Sequence, residues 1–356
     1  MFDNPWLKVE RLLVARLDNA GDVLMCQPAL RAIRHRLPAC HITLWASPGG
    51  AKVACLLPEI DDVLETRAVW QDLGKLPFDP ERERDLVQIL AEGQYDAVII
   101  FTSFAQSPHP AAYACYLAGI PLRAGQPKDF AGGVLSHLVS PLPDNAHQVD
   151  RNLNLVRSLG FEDVSSDLEI QIPDEARDRL GTKLRTKGVG LGVPFVVLHP
   201  GASCPSRRYS VERFGEVARL LYTSQHWPVL VSGGEHERGL AATLLDCAGP
   251  GAVSLVGETA LDEFAALVAR ATVVITNNTL TMHLADALRT PEVVLFAGTE
   301  LEEQWQPRNT RSRLLRRPTP CHPCYRFECP YELTCLDIPP TEVASAVLEL
   351  VAEVPR

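Results

Sequence analysis

The chain offers no apolar run approaching the roughly 18 residues that a membrane-crossing helix needs. No secretory leader is expected, because Asp3, Pro5 and Glu10 precede any apolar core. Nor does it carry a cationic surplus: 34 Lys and Arg stand against 44 Asp and Glu, a formal net charge of −10. Non-specific nucleic-acid binding needs the opposite balance, so no nucleic-acid partner is expected. Disorder is excluded as well, since 46% of residues are hydrophobic and 22% charged. The expectation is a globular, cytoplasmic protein. At 356 residues it exceeds one ordinary core and suits two domains.

Cysteine is not scarce, but in a large chain with no export signal reduced thiols are the default. Six of the ten occur singly (Cys26, Cys40, Cys55, Cys115, Cys204, Cys247) and read as small buried hydrophobes. The other four fall at Cys321-x2-Cys324-x4-Cys329-x5-Cys335. That spacing supplies four soft donors from one short loop, which suits zinc or an iron–sulfur centre, with free or disulfide-forming thiols as the alternative.

The rest of the chain is organised around residues 11–30. Residues 12–17 are a short apolar run of the kind a buried strand supplies, and a turn follows at Asp18, Asn19, Ala20 and Gly21. Asn and Gly tolerate the positive φ that a tight strand-to-helix connection often uses. Asp22 then opens a segment with helical spacing at Val23, Leu24, Ala29, Leu30 and Ile33. An acid there is favoured by the helix dipole, and it stands at the carboxyl end of a strand, where open α/β sheets place ligands. The plain alternative is a helix-capping acid.

Strand and helix patterns then alternate. Residues 41–45 read as a strand, 51–57 as a helix, 62–65 as a short strand, 77–93 as a charged amphipathic helix and 96–101 as an apolar strand. Such alternation implies parallel sheets with helices on both faces. The turn-rich stretch 119–133, with Arg123, Gln126 and Lys128, reads as a loop, and His147 as a structural helix-start residue. Residues 173–192 read as a linker. Beyond it, the strand 195–199 runs into a Gly-containing loop with Ser203, Arg207 and Arg208, and Ser210 is placed to cap the next helix. Strand, loop N–H groups, paired arginines and a helix start together make an anion site. Gly233 and Gly234 end a further strand, 272–276 forms another, and 293–297 the last. Five arginines between 308 and 317 suit an anionic acceptor, lipid headgroups or a solvated strand.

The stretch R-L-D-N-A-G-D at 16–22, followed by Q-P-A-L-R-A-I-R at 27–34 and Pro38, resembles the opening of glycosyltransferase family 9, the ADP-heptose lipopolysaccharide heptosyltransferases. The family's D-[ST]-G-P-M-H-L-A-A-A segment is similar to residues 278–287: Thr279, Met282 and His283 match, while Asn278 stands for the Asp, Leu280 for the Gly and Thr281 for the Pro. The acidic loop 300–303 resembles the family's G-P-T-D-P, and the Cys-rich element occurs in many members. The resemblance covers essentially the whole chain. It implies an α/β fold of the GT-B type, with two Rossmann-like domains whose parallel sheets face a central cleft that closes on substrates. The expected domains are 1–180 for the acceptor, 190–338 for the sugar nucleotide and 339–356 as a helix packed near the hinge.

By the same resemblance, Asp22 is the catalytic base of an inverting transfer, with Asp18 the rival, and Arg16 and Gly21 belong to its site. Ser203, Arg207 (or Arg208), Asn278, Thr279 and His283 would hold the donor diphosphate, and Glu237, with Glu235 as alternative, the ribose. No Asp-x-Asp triplet occurs, which fits a leaving group held by cations and helix ends without a catalytic metal. The implied partners are a nucleotide-sugar donor, with ADP-heptose first, and a saccharide or lipid-linked acceptor such as a lipopolysaccharide core, met by peripheral membrane contact. The alternatives are a relative using another sugar nucleotide and a different acceptor, and a non-catalytic sugar-nucleotide or metal-binding module.

Overall fold

Apolar strands alternating with amphipathic helices build two parallel sheets, one in each of two units, Met1–Ile170 and Gln171–Arg356. The structure is a computed structural model and describes residues 4–353 apart from 73, 131, 163, 164 and 191. The first three residues of the leader comparison and the last three of the expected C-terminal helix lie outside the described residues.

The first unit runs β1 (Arg11–Arg16), α1 (Ala20–Leu24), α2 (Gln27–Arg36), β2 (His41–Ala46), α3 (Pro48–Ala51), β3 (Asp62–Glu65), α4 (Pro80–Glu92), β4 (Ala97–Ile100), α5 (His109–Leu117), β5 (Leu122–Gly125), β6 (His137–Leu138) and α6 (Gln148–Ser158). Its sheet has the order β3-β2-β1-β4-β5-β6. β1 is central and exposed only at Arg11, as expected of a parallel strand covered on both faces. Leu13 and Ala15 pack with Val98, Ile100, Leu86 and Leu90, while Leu12 and Val14, alternating with them, are equally buried. Each such Leu or Val contributes roughly 1.5–3 kcal/mol by leaving water.

The second unit runs α7 (Asp174–Thr186), β7 (Val196–His199), α8 (Val211–Gln225), β8 (Val229–Val231), α9 (Arg238–Ala248), β9 (Ala252–Ser254), α10 (Leu261–Arg270), β10 (Val273–Asn277), α11 (Leu280–Ala287), β11 (Glu292–Leu295), α12 (Glu302–Trp305), β12 (Ser312–Leu315) and α13 (Pro340–Ala352). The order β12-β11-β10-β7-β8-β9 repeats the first topology, strand for strand. In both units the chain reverses direction across the sheet next to its first strand, which leaves a ligand crevice at that strand's carboxyl end. The core joins Val196, Leu198, Ile275 and Val293 to Phe214 and Leu221 of α8 and to Val343, Val347 and Leu350 of α13. Among the described residues no helix is long and apolar enough to cross a membrane.

Several expectations need correction. The stretch 173–192 is largely the helix α7, not a linker, and the break falls at 170/171 rather than after 180. Ala176, Leu180 and Leu184 recur every four residues and are buried. Arg179 and Lys183 on the same helix pair with Asp262 and Glu263 of α10, which ties it to the second sheet. Cys55 and Cys247 are exposed, unlike the other single cysteines. The arginine run is not a free basic surface: Arg313, Arg316 and Arg317 pair with Glu353, Glu302 and Glu342. α13 packs on α8, β11 and β12 within the second unit.

Candidate functional site

At the carboxyl end of β1 the side chain of Arg16 is fully buried and meets two carboxylates through one nitrogen. Its Nη2 lies 2.9 Å from Asp18 Oδ2 and 3.0 Å from Asp22 Oδ1. The chain reaches this arrangement with no left-handed residue, because Asn19 is extended (φ −85°, ψ 168°) and α1 begins at Ala20. Asp22 is therefore the third residue of the helix, not its first, and its Oδ2 accepts the Asn19 N–H at 3.1 Å. One Asp22 oxygen caps the helix while the other faces the guanidinium. Gly21 is buried inside α1.

Burial pushes the Asp18 carboxyl up to about 6 against the pull of Arg16, with Asp22 adding to the rise. Burial alone would lower the Arg16 pKa, but the two carboxylates raise it above its ordinary value. The Asp18 and Asp22 side chains are 8% and 14% exposed, so Asp22 is the more accessible of the two. Nε and Nη1 of Arg16 are buried with no hydrogen-bond partner, a half-satisfied guanidinium of the kind functional sites retain.

The polar residues of the loop 119–133 and the start of α6 find local partners, apart from the buried Nε2 of Gln126. Arg123 is buried and donates to the carbonyls of Val134 and Pro121. Lys128 pairs with Asp144, and His147 caps α6 by accepting the Val149 N–H.

In the second unit the loop after β7 forms a short turn, Pro205–Arg207, and Ser210 caps α8 by accepting the Arg213 N–H at 3.2 Å. Asn277, the last residue of β10, fixes the loop from behind. Its Nδ2 donates to the carbonyls of Pro200 (2.9 Å) and Gly201 (3.2 Å), and its Oδ1 accepts the Tyr209 N–H at 3.0 Å. The two arginines then separate. Arg208 turns back to the Ala202 carbonyl at 3.0–3.2 Å, and Arg207 extends to Glu300, 2.6 Å from Nη2 to Oε1. Asn278 joins this pair by donating to Glu300 Oε2 at 3.2 Å and accepting the Ala297 N–H at 3.3 Å.

Glu237 is buried beside the same loop and accepts the Gly234 N–H at 2.7 Å. A Cβ on Gly201 would lie 1.6 Å from Glu237 Oε1, so only glycine admits this carboxylate. Glu235 points away and pairs with Arg238 at the surface. His199 at the end of β7 meets Ser232 Oγ at 3.2 Å, and burial lowers its pKa. Thr279 is the extended residue before α11, and His283 is buried with its ring 6.3 Å from that of Trp305. Ser203 is exposed.

The structure brings Arg207 and Asn278 into one network and sets Glu237 against the loop, while sequence reasoning missed Asn277 and the pairing of Glu300. The position of Asn277 at a strand's end, before the recognised segment, was the available signal.

Among the described residues no three His, Cys, Asp or Glu side chains stand as a formed metal site. Cys321, Cys324, Cys329 and Cys335 nevertheless line one cavity of about 10 Å³ together with Ser206 and Gly298. None of the ten cysteines is in a disulfide, and burial pushes the Cys335 thiol pKa up. This Cys-rich segment is stitched to the loops after β7 and β11. The Ser206 N–H donates to the Phe327 carbonyl at 3.1 Å, and the N–H groups of Cys324 and Tyr325 donate to Gly298 and Thr299 at 3.1 and 2.8 Å.

The profile of glycosyltransferase family 9 (heptosyltransferase) matches residues 83–334. Lipopolysaccharide heptosyltransferase 2 of Escherichia coli K12 is 26% identical over 349 residues, covering 94% of this chain and 96% of that protein. Among solved structures, the family 9 glycosyl transferase from Veillonella parvula superposes with a TM-score of 0.81 at 20% identity, covering 99% of each chain. The E. coli heptosyltransferase WaaC with ADP-2-deoxy-2-fluoro heptose gives 0.70 at 19% identity, covering 95% of this chain and 99% of that one. These two likenesses bear on the fold, which is the GT-B architecture expected from the sequence.

Proposed function

The chain belongs to glycosyltransferase family 9, and on that premise we propose that it transfers a heptosyl group from ADP-heptose to a saccharide of a lipopolysaccharide core, with inversion and without a catalytic metal. The near full-length similarity to lipopolysaccharide heptosyltransferase 2 supports the donor and acceptor classes. The observation that carries the chemistry is the pair of carboxylates, Asp18 and Asp22, on the buried guanidinium of Arg16 at the carboxyl end of β1.

Asp22 takes the proton from an acceptor hydroxyl as that oxygen attacks the anomeric carbon, and the bond from that carbon to the diphosphate breaks on the opposite face. Arg16 orients the carboxylate. The departing ADP carries its charge to Arg207 and to the hydroxyls and N–H groups of Ser203 and Thr279 at the starts of short turns and helices, with His283 and Asn278 completing that side. Glu237 contacts the ribose. Asp18 remains the rival base: a carboxyl pushed up to about 6 is well matched to proton transfer near neutrality.

The four cysteines supply soft donors around one cavity, although as placed they do not stand as a formed metal group. We place a structural zinc or iron–sulfur centre there, with no part in the chemistry. The reaction would take place at the cytoplasmic face of the membrane, with peripheral contact to the lipid-linked acceptor. A second reading, transfer from another nucleotide sugar to a different acceptor, rests on the departures at Asn278, Leu280 and Thr281.

The test incubates purified protein with ADP-heptose and a heptose-deficient lipopolysaccharide acceptor, with and without EDTA. ADP release and an inverted anomeric linkage in both reactions are the expected result. Melting-point shifts with UDP or GDP but not ADP would overturn the donor, and no turnover with any sugar nucleotide would leave a non-catalytic binding module.

A further inference from the structure

The anion loop is already neutralised by the protein's own acid. Arg207 and Glu300 form a close ion pair at 2.6 Å, with side chains 24% and 13% exposed, and the pair is reinforced by Asn278. Arg208 donates to the Ala202 carbonyl through Nε and Nη2. A guanidinium so paired presents almost no net charge to an incoming anion, and two carboxylate oxygens mimic two phosphate oxygens in shape and reach.

Where the resembled family pattern has Asp, this chain has the neutral Asn278, and Glu300 opens the acidic loop 300–303. Asn278 and Glu300 are hydrogen-bonded to each other, so the carboxylate beside Arg207 is held by a neutral neighbour. The backbones beneath both ends of the pair are fixed. Ser206 and Thr299, the residues preceding Arg207 and Glu300, are both hydrogen-bonded to the segment 325–327. Rotation of either side chain separates the two charges without disturbing these backbone hydrogen bonds. Nε of Arg207 is buried with no partner, so the guanidinium still has donor capacity beyond Glu300.

We infer that Glu300 occupies the diphosphate's place on Arg207 and must be displaced by the donor, so that this carboxylate sets the affinity for the nucleoside diphosphate. The inference rests on Arg207 being the donor-phosphate residue, as proposed above. Glu300 is a specificity-determining residue here and takes no part in bond making. An uncharged acceptor at this position would lower the cost of separation and remove repulsion between carboxylate and diphosphate.

The experiment is calorimetric titration of the full-length protein with ADP and, separately, with adenosine, for the wild type and for Glu300→Gln, Glu300→Thr and Arg207→Gln, each checked by its melting curve. Glu300→Gln and Glu300→Thr should bind ADP roughly two- to tenfold more tightly, the scale of one partly exposed ion pair plus a like-charge contact, with adenosine unchanged. Unchanged or weaker ADP binding in the folded Glu300 variants, with Arg207→Gln weakened, would overturn the inference and make Glu300 a plain support for Arg207. ADP binding unaffected by Arg207→Gln would instead overturn the donor-site reading beneath it. Two Glu300 variants are used so that a folding failure of one leaves the other to decide.

Discussion

Replacing Asp22 by Asn keeps the volume of the side chain and removes its capacity as a base, so it tests the reaction and the architecture separately. The carboxylate now accepts two hydrogen bonds on different oxygens, from Arg16 Nη2 at 3.0 Å and from the Asn19 N–H at 3.1 Å. An amide has one acceptor oxygen, so either contact may be kept but not both, at a cost of about 1–3 kcal/mol in stability. Loss of the general base should lower kcat by roughly 10²–10⁴, or about 2.7–5.5 kcal/mol of barrier, while the Kd for ADP stays within a factor of about two. Asp18→Asn removes the other carboxylate from Arg16 and should cost less than about tenfold in kcat.

The two variants also differ in pH dependence. The folded Asp18 carboxyl titrates near 6, above the ordinary 3.8, because burial disfavours its charge. It therefore holds its proton more tightly folded than unfolded, and wild-type stability falls as pH rises from about 4 through 6. In Asp18→Asn this decline should flatten, and any acid limb of kcat near 6 should go with it. The assay is ADP release with ADP-heptose and acceptor across pH 5–9, beside urea unfolding at the same pH values. A hundredfold loss in Asp18→Asn with Asp22→Asn within tenfold of wild type would refute the assignment and exchange the two roles.

Gly201→Ala should weaken ADP binding and destabilise the protein by about 1–3 kcal/mol, because the added methyl would sit 1.6 Å from Glu237 Oε1 and expel that carboxylate from its bond to Gly234; a wild-type melting point would count against the packing described. Asn277→Ala strands the Tyr209 N–H and two loop carbonyls and should cost about 1–3 kcal/mol, with a raised KM for the donor as the loop loosens; unchanged KM would mean the loop is held otherwise. Glu292 is fully buried in β11 with neither carboxyl oxygen partnered, and burial, with Asp286 adding, raises its pKa well above the ordinary value. Its proton is bound more tightly in the folded state, so stability falls as pH rises above the unfolded carboxylate range, and Glu292→Gln should raise the melting point at pH 8 more than at pH 5. Metal analysis of the purified protein should find one zinc or iron–sulfur centre that Cys324→Ser depletes; metal-free protein with an unaltered melting point would remove that centre from the account.

The sequence alone carried the alternation that dictates parallel α/β sheets, because strand and helix periods are local properties of a few residues. It also carried the Gly-containing loop after β7 with its helix cap at Ser210, and the Arg16, Asp18 and Asp22 turn, since residues six positions apart around one strand end must fall together. The helix α7 was legible in principle. Its apolar residues recur at the helical spacing, but its surface charges read as a solvated linker until Arg179 and Lys183 found their acids more than 70 positions away. Tertiary structure decided everything that depends on such distant partners: Asn277 behind Gly201, 76 positions apart, and Glu300 on Arg207, 93 apart. Spacing cannot select among many acids which one will meet a given arginine. That selection is made by strand order, which brings the carboxyl ends of β7, β10 and β11 side by side and leaves each loop only its neighbours to bond.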